Sequence, residues 1–330
     1  LALDLKREGL PLWLRGGREE EDTRLHNVAF SGAPLVLEDR VFLLGTRYAG
    51  SGEDRAESHL YCFEGATGRL LFERFLCSGA EVSRFEIRLS SDYRKTRDRV
   101  ELGSPIAEAG GSLYCMTNLG VIGKVDAFTG EVLWVFKYNR VFSQNPDQYY
   151  PDFFLDTGGW RDSLPMTRNR CLYVTPEDSR YFYCLDLNPD KEGFLILDDP
   201  IEKGRKISLI GIDERSRLFF TAREGDRNYV IATESNGAVL WETPHFEPQD
   251  RLTGRPLLTR DAVLVPTERY IYRIDIEKEG LVTDMFSLPD SPSDSAQASG
   301  GFGNIIAIRD LVVSVSNEDV IVLRAAPGQE

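Results

Sequence analysis

The feature that most constrains this chain is a glycine in a polar turn followed, four residues on, by a bulky aromatic ring. Its clearest copy is Gly123-Lys124-Val125-Asp126-Ala127-Phe128-Thr129-Gly130-Glu131-Val132-Leu133-Trp134. This reads as a short strand, a tight turn from Asp126 to Gly130, and a second strand closing on a tryptophan. Thr129-Gly130 supplies the φ > 0 position that a tight turn needs. On the outgoing strand Val132 and Trp134 share one face, and Glu131 and Leu133 share the other. The same step separates Gly9 from Trp13, Gly68 from Phe72 and Gly237 from Trp241. Weaker copies run from Tyr183 through Gly193 to Leu197, and from Tyr272 to Gly280.

Repetition decides the architecture. The turn glycines Gly9, Gly68, Gly130, Gly193, Gly237 and Gly280 stand roughly 60 residues apart in the first half and roughly 43 in the second, against about 40–50 residues for a four-stranded blade. Upstream of each hairpin lies a pair of further strand candidates. The pairs are Ala33–Leu37 with Arg40–Leu44, Ser104–Ala107 with Ser112–Met116, and Ser163–Met166 with Cys171–Val174. Ser208–Gly211 with Arg217–Phe220, Arg255–Leu258 with Ala262–Val265, and Asn304–Ala307 with Leu311–Val315 follow. Pro34, Pro105, Pro165 and Pro256 lie in or beside the first member of a pair, where a strand begins and proline is tolerated. The pattern predicts an all-β chain, a β-propeller of four-stranded antiparallel blades. About six blades are expected, or seven or eight if the chain is cut from a longer parent.

With those residues in view, the chain resembles the quinoprotein-type (PQQ-like repeat) propeller family, whose blades end in Asp-Ala-x-Thr-Gly-x-Val-Leu-Trp. Asp126 to Trp134 matches that frame almost letter for letter, and the resemblance extends over about Leu1 to Arg324. The family includes both pyrroloquinoline-quinone dehydrogenases and non-catalytic scaffolds similar to the outer-membrane assembly lipoprotein. The resemblance therefore implies a fold and leaves the activity open. It also implies a periplasmic, extracellular or cell-envelope location.

Composition narrows the partners. A net charge of −14 and a pI near 4.9 argue against nucleic-acid binding, which needs a basic face. No stretch approaches the roughly 20 apolar residues of a membrane span. The five cysteines, Cys62, Cys77, Cys115, Cys171 and Cys184, lack metal-like spacing; all but Cys77 fall inside strand candidates, where a buried thiol is the plain expectation. The histidines His26, His59 and His245 are too scattered to suggest a metal triad.

Along the chain, residues 1–330 read as a single propeller domain. Residues 1–15 supply only the last two strands of a blade, and Asn304–Arg324 only the first three. Leu10–Leu14 is thus expected to complete the last blade, which would remove two exposed sheet edges. Leu1–Leu5 and Val320–Leu323 then compete for the third position. Connections between second and third strands, and between one blade and the next, leave a sheet at the same end. The long segments 16–30, 46–58, 78–100, 139–161 and 288–303 are all of these two kinds, so one loop-rich face is expected to be the working surface. It would offer Phe142, Tyr149, Tyr150, Phe153, Phe154 and Trp160 in one loop, and Arg94 and Arg97 in the basic stretch of another. Trp13, Phe72, Trp134 and Trp241 are read as structural, docking one blade against the next.

Catalytic signals are sparse. No nucleophile elbow, phosphate-binding loop or His-Glu-x-x-His sequence is present. A quinone dehydrogenase of the family would be expected to bring adjacent cysteines, a Ca²⁺ site and a tryptophan floor. There is no Cys-Cys pair, and Asp152, Asp156 and Asp162 match no Ca²⁺ loop motif. The reading that follows is a non-catalytic scaffold that binds another protein or an envelope component, with no catalytic, metal or cofactor residue assigned. The alternative is a quinone- or Ca²⁺-dependent dehydrogenase, or a sugar-acting enzyme, with its site at the propeller axis.

Overall fold

The computed structural model describes residues 2–4, 10–16, 20–48, 55–80, 105–117, 119–140, 164–176, 179, 181–188, 193–197, 205–225, 227–247, 250–287, 302–308, 311–316 and 320–324. These are strand, turn and irregular chain apart from one 3-10 turn, Thr23–Leu25. They form two compact units, Leu1–Ile196 and Leu197–Glu330.

The first unit opens with a two-stranded antiparallel sheet of β1 (Ala2–Asp4) and β2 (Leu10–Trp13). Three four-stranded sheets follow. They are β3 (Val28–Leu37), β4 (Arg40–Tyr48), β5 (Arg55–Glu64) and β6 (Leu70–Ala80); then β7 (Ile106–Ala109), β8 (Ser112–Met116), β9 (Val121–Asp126) and β10 (Val132–Lys137); then β11 (Met166–Arg168), β12 (Cys171–Val174), β13 (Phe182–Asp186) and β14 (Gly193–Leu197). The second unit holds β15 (Arg205–Ile212), β16 (Leu218–Glu224), β17 (Arg227–Thr233) and β18 (Val239–Glu242), followed by β19 (Leu257–Leu258), β20 (Ala262–Pro266), β21 (Tyr270–Asp275) and β22 (Leu281–Ser287). It ends in a three-stranded sheet of β23 (Asn304–Ile308), β24 (Leu311–Val315) and β25 (Val320–Arg324). Every sheet is an antiparallel meander in chain order.

Alternation along the third strand of each sheet explains the stacking. Successive side chains of a strand point to opposite faces. In β5, Leu60 and Cys62 join Phe42, Leu44 and Leu76 in a core shared with Leu113, Cys115 and Val125 of the next sheet. Tyr61 and Phe63 point the other way, into a cluster with Leu25, Val28, Phe30 and Leu43. Tyr183 and Leu185 of β13 likewise meet Tyr114, Met116 and Ile122. In the second unit Tyr272 and Ile274 of β21 meet Phe219 and Val230, while Ile271 meets Phe302 and Ile305. Each fully buried Leu or Phe contributes about 1.5–3 kcal/mol. A sheet apolar on both faces cannot stand alone, so neighbours stack.

The turns are built alike. Asp126 Oδ1 accepts from Phe128 N (3.0 Å), Thr129 N (2.7 Å) and Thr129 Oγ1 (2.9 Å), and Gly130 N closes onto Asp126 O at 2.9 Å. The Thr129 amide and hydroxyl hold the Asp126 carboxyl below its ordinary range. In the preceding sheet Gly68 N closes onto Glu64 O at 2.8 Å, and in β21–β22 Gly280 N closes onto Asp275 O at 3.0 Å. The glycines have φ of +68° (Gly68), +72° (Gly130) and +84° (Gly280).

An aromatic ring from the preceding sheet lies against each of these glycines. A methyl added at Gly68 would stand 2.5 Å from the Trp13 ring, at Gly130 2.8 Å from Phe72, and at Gly280 2.5 Å from Trp241. Trp13 Nε1 also donates to Gly65 O at 2.8 Å and its ring stacks on Phe63 at 6.3 Å. An arginine two residues past the ring completes the first two joints. Arg15 Nε donates to Gly68 O (2.7 Å), and Arg74 Nε donates to Gly130 O (2.8 Å). The Asp275–Gly280 turn is one residue longer than Asp126–Gly130, and Trp241 Nε1 is buried with no hydrogen-bond partner among the described residues. Trp134 lies against the core shared with Leu172 and Leu185, 6.1 Å from the Tyr114 ring.

Several boundaries differ from the sequence reading. Gly193 is the first residue of β14 rather than a turn glycine. β4 runs on to Tyr48 and β5 begins at Arg55, so residues 46–48 and 55–58 are strand, paired through Thr46↔Ser58 and Arg47↔Glu57. Residues 28–30 belong to β3 and 78–80 to β6. In 46–48 and 55–58 the charged Arg47, Arg55 and Glu57 hid the pairing, because a sheet end that faces its own polar neighbours does not show apolar alternation. Leu25, inside what reads as a solvated loop, is 1% exposed.

Gly130→Ala is expected to destabilise the protein by about 3 kcal/mol, combining a left-handed backbone cost of about 1–2 kcal/mol with overpacking against Phe72 of about 1–3 kcal/mol. Gly110→Ala, at φ +60° with nothing within 4 Å of the new methyl, keeps only the backbone cost of about 1 kcal/mol. Urea unfolding checks the pair. Equal losses at the two sites would show that the ring does not depend on the glycine.

Candidate functional site

Among the described residues, a cluster of titratable groups gathers on one face of the β3–β6 sheet, toward the end where β4 leaves and β5 enters. The pairing of Gly45, His59 and Phe75, and of Tyr61 with Glu73, sets these side chains on one face of β4, β5 and β6. Arg47 and Glu57 pair one step further along the same face. Gly45 makes room for the ring beside it, since a methyl there would stand 2.8 Å from Tyr61 Cε2.

Glu73 is the hub. Arg47 holds it with two nitrogens, Nη1 to Oε1 at 2.8 Å and Nη2 to Oε2 at 3.2 Å. His59, 6% exposed, stands between two carboxylates, with Nδ1 2.9 Å from Glu73 Oε1 and Nε2 3.2 Å from Glu57 Oε2. The Nδ1 contact has the distance but not the geometry of a hydrogen bond. Burial, with the charge of Glu73 added, pushes the Tyr61 phenol far up, and its hydroxyl has no hydrogen-bond partner among the described residues. Arg47 Nη2 also donates to the carbonyl of Arg24 in the 3-10 turn. That turn is capped by Asp22, whose Oδ1 accepts from Arg24 N at 3.0 Å and whose carboxyl the Arg24 guanidinium holds below its ordinary range. Leu25 is thereby seated on Tyr61 and Phe63.

Chemically, this cluster can clamp a segment. Two carboxylates against one guanidinium leave one negative charge, which an imidazolium would balance; a neutral imidazole can donate through only one nitrogen. The two carboxylates approach opposite nitrogens of the ring, so they share no point at which a cation could sit. No group of three or more His, Cys, Asp or Glu residues among the described residues is arranged to hold a metal ion.

Phe142, Tyr149, Tyr150, Phe153, Phe154, Trp160, Arg94 and Arg97 lie outside the described residues, as do Asp152, Asp156 and Asp162. Trp13, Phe72 and Trp241 lie against turn glycines, and Trp134 on the core of the β11–β14 sheet. The His59 cluster was missed by reading the histidines as scattered. Its signal is the alternation Glu57-x-His59-x-Tyr61, polar and apolar rings on one face of a single strand.

Neither a protein-family model nor a curated protein matches the chain. Solved structures do. BamB from Moraxella catarrhalis aligns with a TM-score of 0.50 at 13% identity, over 93% of this chain and 81% of BamB. The quinohemoprotein alcohol dehydrogenase of Comamonas testosteroni aligns with a TM-score of 0.52 at 12% identity, over 87% of this chain and 51% of the enzyme. Quinohemoprotein alcohol dehydrogenase ADHIIG of Pseudomonas putida HK5 gives 0.50 at 14%, over 80% and 42%. The chain thus spans about half the length of these dehydrogenases or less. The likeness is one of fold: this is the all-β fold of the quinoprotein-type, PQQ-like repeat propellers, built of four-stranded antiparallel blades.

Glu73→Gln is expected to cost about 2 kcal/mol, in line with about 1.5–3 kcal/mol for hydrogen bonds to charged groups. A double-mutant cycle with Arg47→Met, read by chemical denaturation, should return a coupling of about 1 kcal/mol. A coupling near zero would mean that Glu73 does not hold Arg47 and, through it, the Arg24 carbonyl.

Proposed function

We propose that this chain is a non-catalytic PQQ-like repeat propeller that serves as a protein–protein interaction or assembly scaffold in the cell envelope, periplasmic or extracellular. The observation that carries this reading is the apolar surface left exposed on outer strands. Leu133 and Val135 of β10 are 47% and 53% exposed, Phe75 of β6 is 53% exposed, and Met285 and Phe286 of β22 are 59% and 44% exposed. Apolar side chains exposed on an outer strand are surface that a partner can cover, and outer strands are the edges to which another chain can add. Extended likeness supports the same direction, since BamB is matched over most of both chains and the dehydrogenases over about half of theirs or less.

The proposed contact surface includes the loop-rich end of the sheets, with Phe142, Tyr149, Tyr150, Phe153, Phe154 and Trp160 as anchors and Arg94 and Arg97 as its basic rim. In this reading the partner is another protein or an envelope component, and neither nucleic acid nor a quinone or Ca²⁺ takes part. The His59 cluster is then a clamp that seats the 20–30 segment.

The test is affinity capture from an envelope extract with the 330-residue chain, paired with mass analysis of the purified protein for quinone and Ca²⁺. A specific protein partner is expected, lost at least tenfold in Phe153→Ser/Phe154→Ser or in Leu133→Asp/Val135→Asp while the melting temperature holds. Stoichiometric quinone on the purified protein would overturn the scaffold reading.

A further inference from the structure

In the β11–β14 sheet the antiparallel register pairs Cys171 with Asp186 and Tyr173 with Cys184. Residues paired across two strands share a face, and so do residues two apart on one strand. Cys171, Tyr173 and Cys184 therefore stand on one face of β12 and β13, the thiols on a diagonal with the tyrosine between them in the pattern. The three groups perturb one another: burial raises the Tyr173 phenol, with both cysteines adding to the rise, and Cys171 adds to the rise of the Cys184 thiol. Tyr173 is buried, at 2% exposed, whereas both cysteines are partly open to solvent and unlinked. Cys171 is the first residue of its strand and follows the left-handed pair Asn169 (φ +47°) and Arg170 (φ +63°), which turns the hairpin at the end of the sheet. The other cysteines are placed differently. Cys62 and Cys115 are fully buried in the core between the β3–β6 and β7–β10 sheets, and Cys77 lies against the Thr117 hydroxyl at 3.5 Å.

We propose that Cys171 and Cys184 are a redox pair that closes to a cross-strand disulfide when the protein meets a disulfide oxidant. One thiolate, taken here as Cys171, attacks a sulfur of the oxidant; a mixed disulfide forms and one thiolate leaves. Cys184 then gives up its proton and attacks the Cys171 sulfur. The intramolecular disulfide forms and the second thiolate of the oxidant departs. Two thiol hydrogens are lost from the protein, and one disulfide is reduced to two thiols. Burial, with Cys171 adjacent, pushes the Cys184 thiol up to about 12. That suits the second position, where attack is intramolecular and a low thiolate fraction is tolerated. Diagonal neighbours stand about 7–8 Å apart and a disulfide needs Cα atoms about 4.4–6.8 Å apart, so closure draws β12 and β13 together at this point. The bond would staple the second and third strands of a sheet that has only short first and second strands, β11 and β12. It does not rest on the scaffold reading.

The experiment equilibrates the full chain with oxidised glutathione, blocks remaining thiols with an alkylating agent in denaturant, and digests with trypsin without reduction. Cleavage after Arg170, Arg180 and Lys191 places Cys171 and Cys184 on separate peptides. The expected result is a crosslink between peptides 171–180 and 181–191, with Cys62, Cys77 and Cys115 alkylated. In Cys184→Ser, Cys171 should instead carry a stable glutathione adduct, and the wild-type gain in melting temperature on oxidation should vanish. Alkylation of all five cysteines, glutathione adducts without the crosslink in the wild type, or a crosslink to any other cysteine would each overturn the proposal.

Discussion

The structure depends on one contact: an aromatic ring on the outer strand of one sheet laid against a left-handed glycine in the turn of the next. Trp13 over Gly68, Phe72 over Gly130 and Trp241 over Gly280 are the same joint built three times. Only glycine satisfies both demands there, a positive φ and no Cβ beneath the ring. The joint sets the distance between sheets at their outer edge. Inside it, alternating side chains of the third strands complete the cores. A propeller-type chain is in this sense a series of equal contacts, each needing its neighbour, because a four-stranded sheet apolar on both faces has no stable existence alone.

Polar chemistry in the described residues serves that packing. Asp126 and Asp275 organise turns through their own backbone amides. Asp250, 0% exposed, accepts from the Tyr272 hydroxyl at 2.7 Å and so fixes the segment that leads into the β19–β22 sheet. The Glu73 hub binds Arg47 and His59 and, through Arg47, seats Leu25 over Tyr61. The functional reading turns instead on apolar side chains left exposed on outer strands, such as Leu133 and Val135 of β10.

Much of this was legible beforehand, for a reason that particular residues show. A turn needs its glycine and its Asp or Thr locally, so Asp126-Ala-Phe-Thr-Gly130 announces itself within five letters. Strand alternation announces which residues share a face. Illegible were the features that depend on partners distant in sequence. Arg15 and Arg74 look like ordinary surface charges until they are seen on the carbonyls of Gly68 and Gly130, 53 and 56 residues away. Gly193 carries the spacing of a turn glycine yet begins a strand, because spacing cannot tell which side of a turn a glycine occupies.

By itself, then, the amino-acid order determined the unit: four antiparallel strands, a glycine turn, a ring four residues on, repeated. These follow from local backbone sterics and a side-chain period of two, which act within a few residues. Only the tertiary structure decided that Glu73, His59, Glu57 and Arg47 form one cluster, and that Cys171 and Cys184 stand on a diagonal of one face of β12 and β13. Such meetings depend on which residue of one strand pairs with which of the next. A slip of one position would turn every one of those side chains to the opposite face.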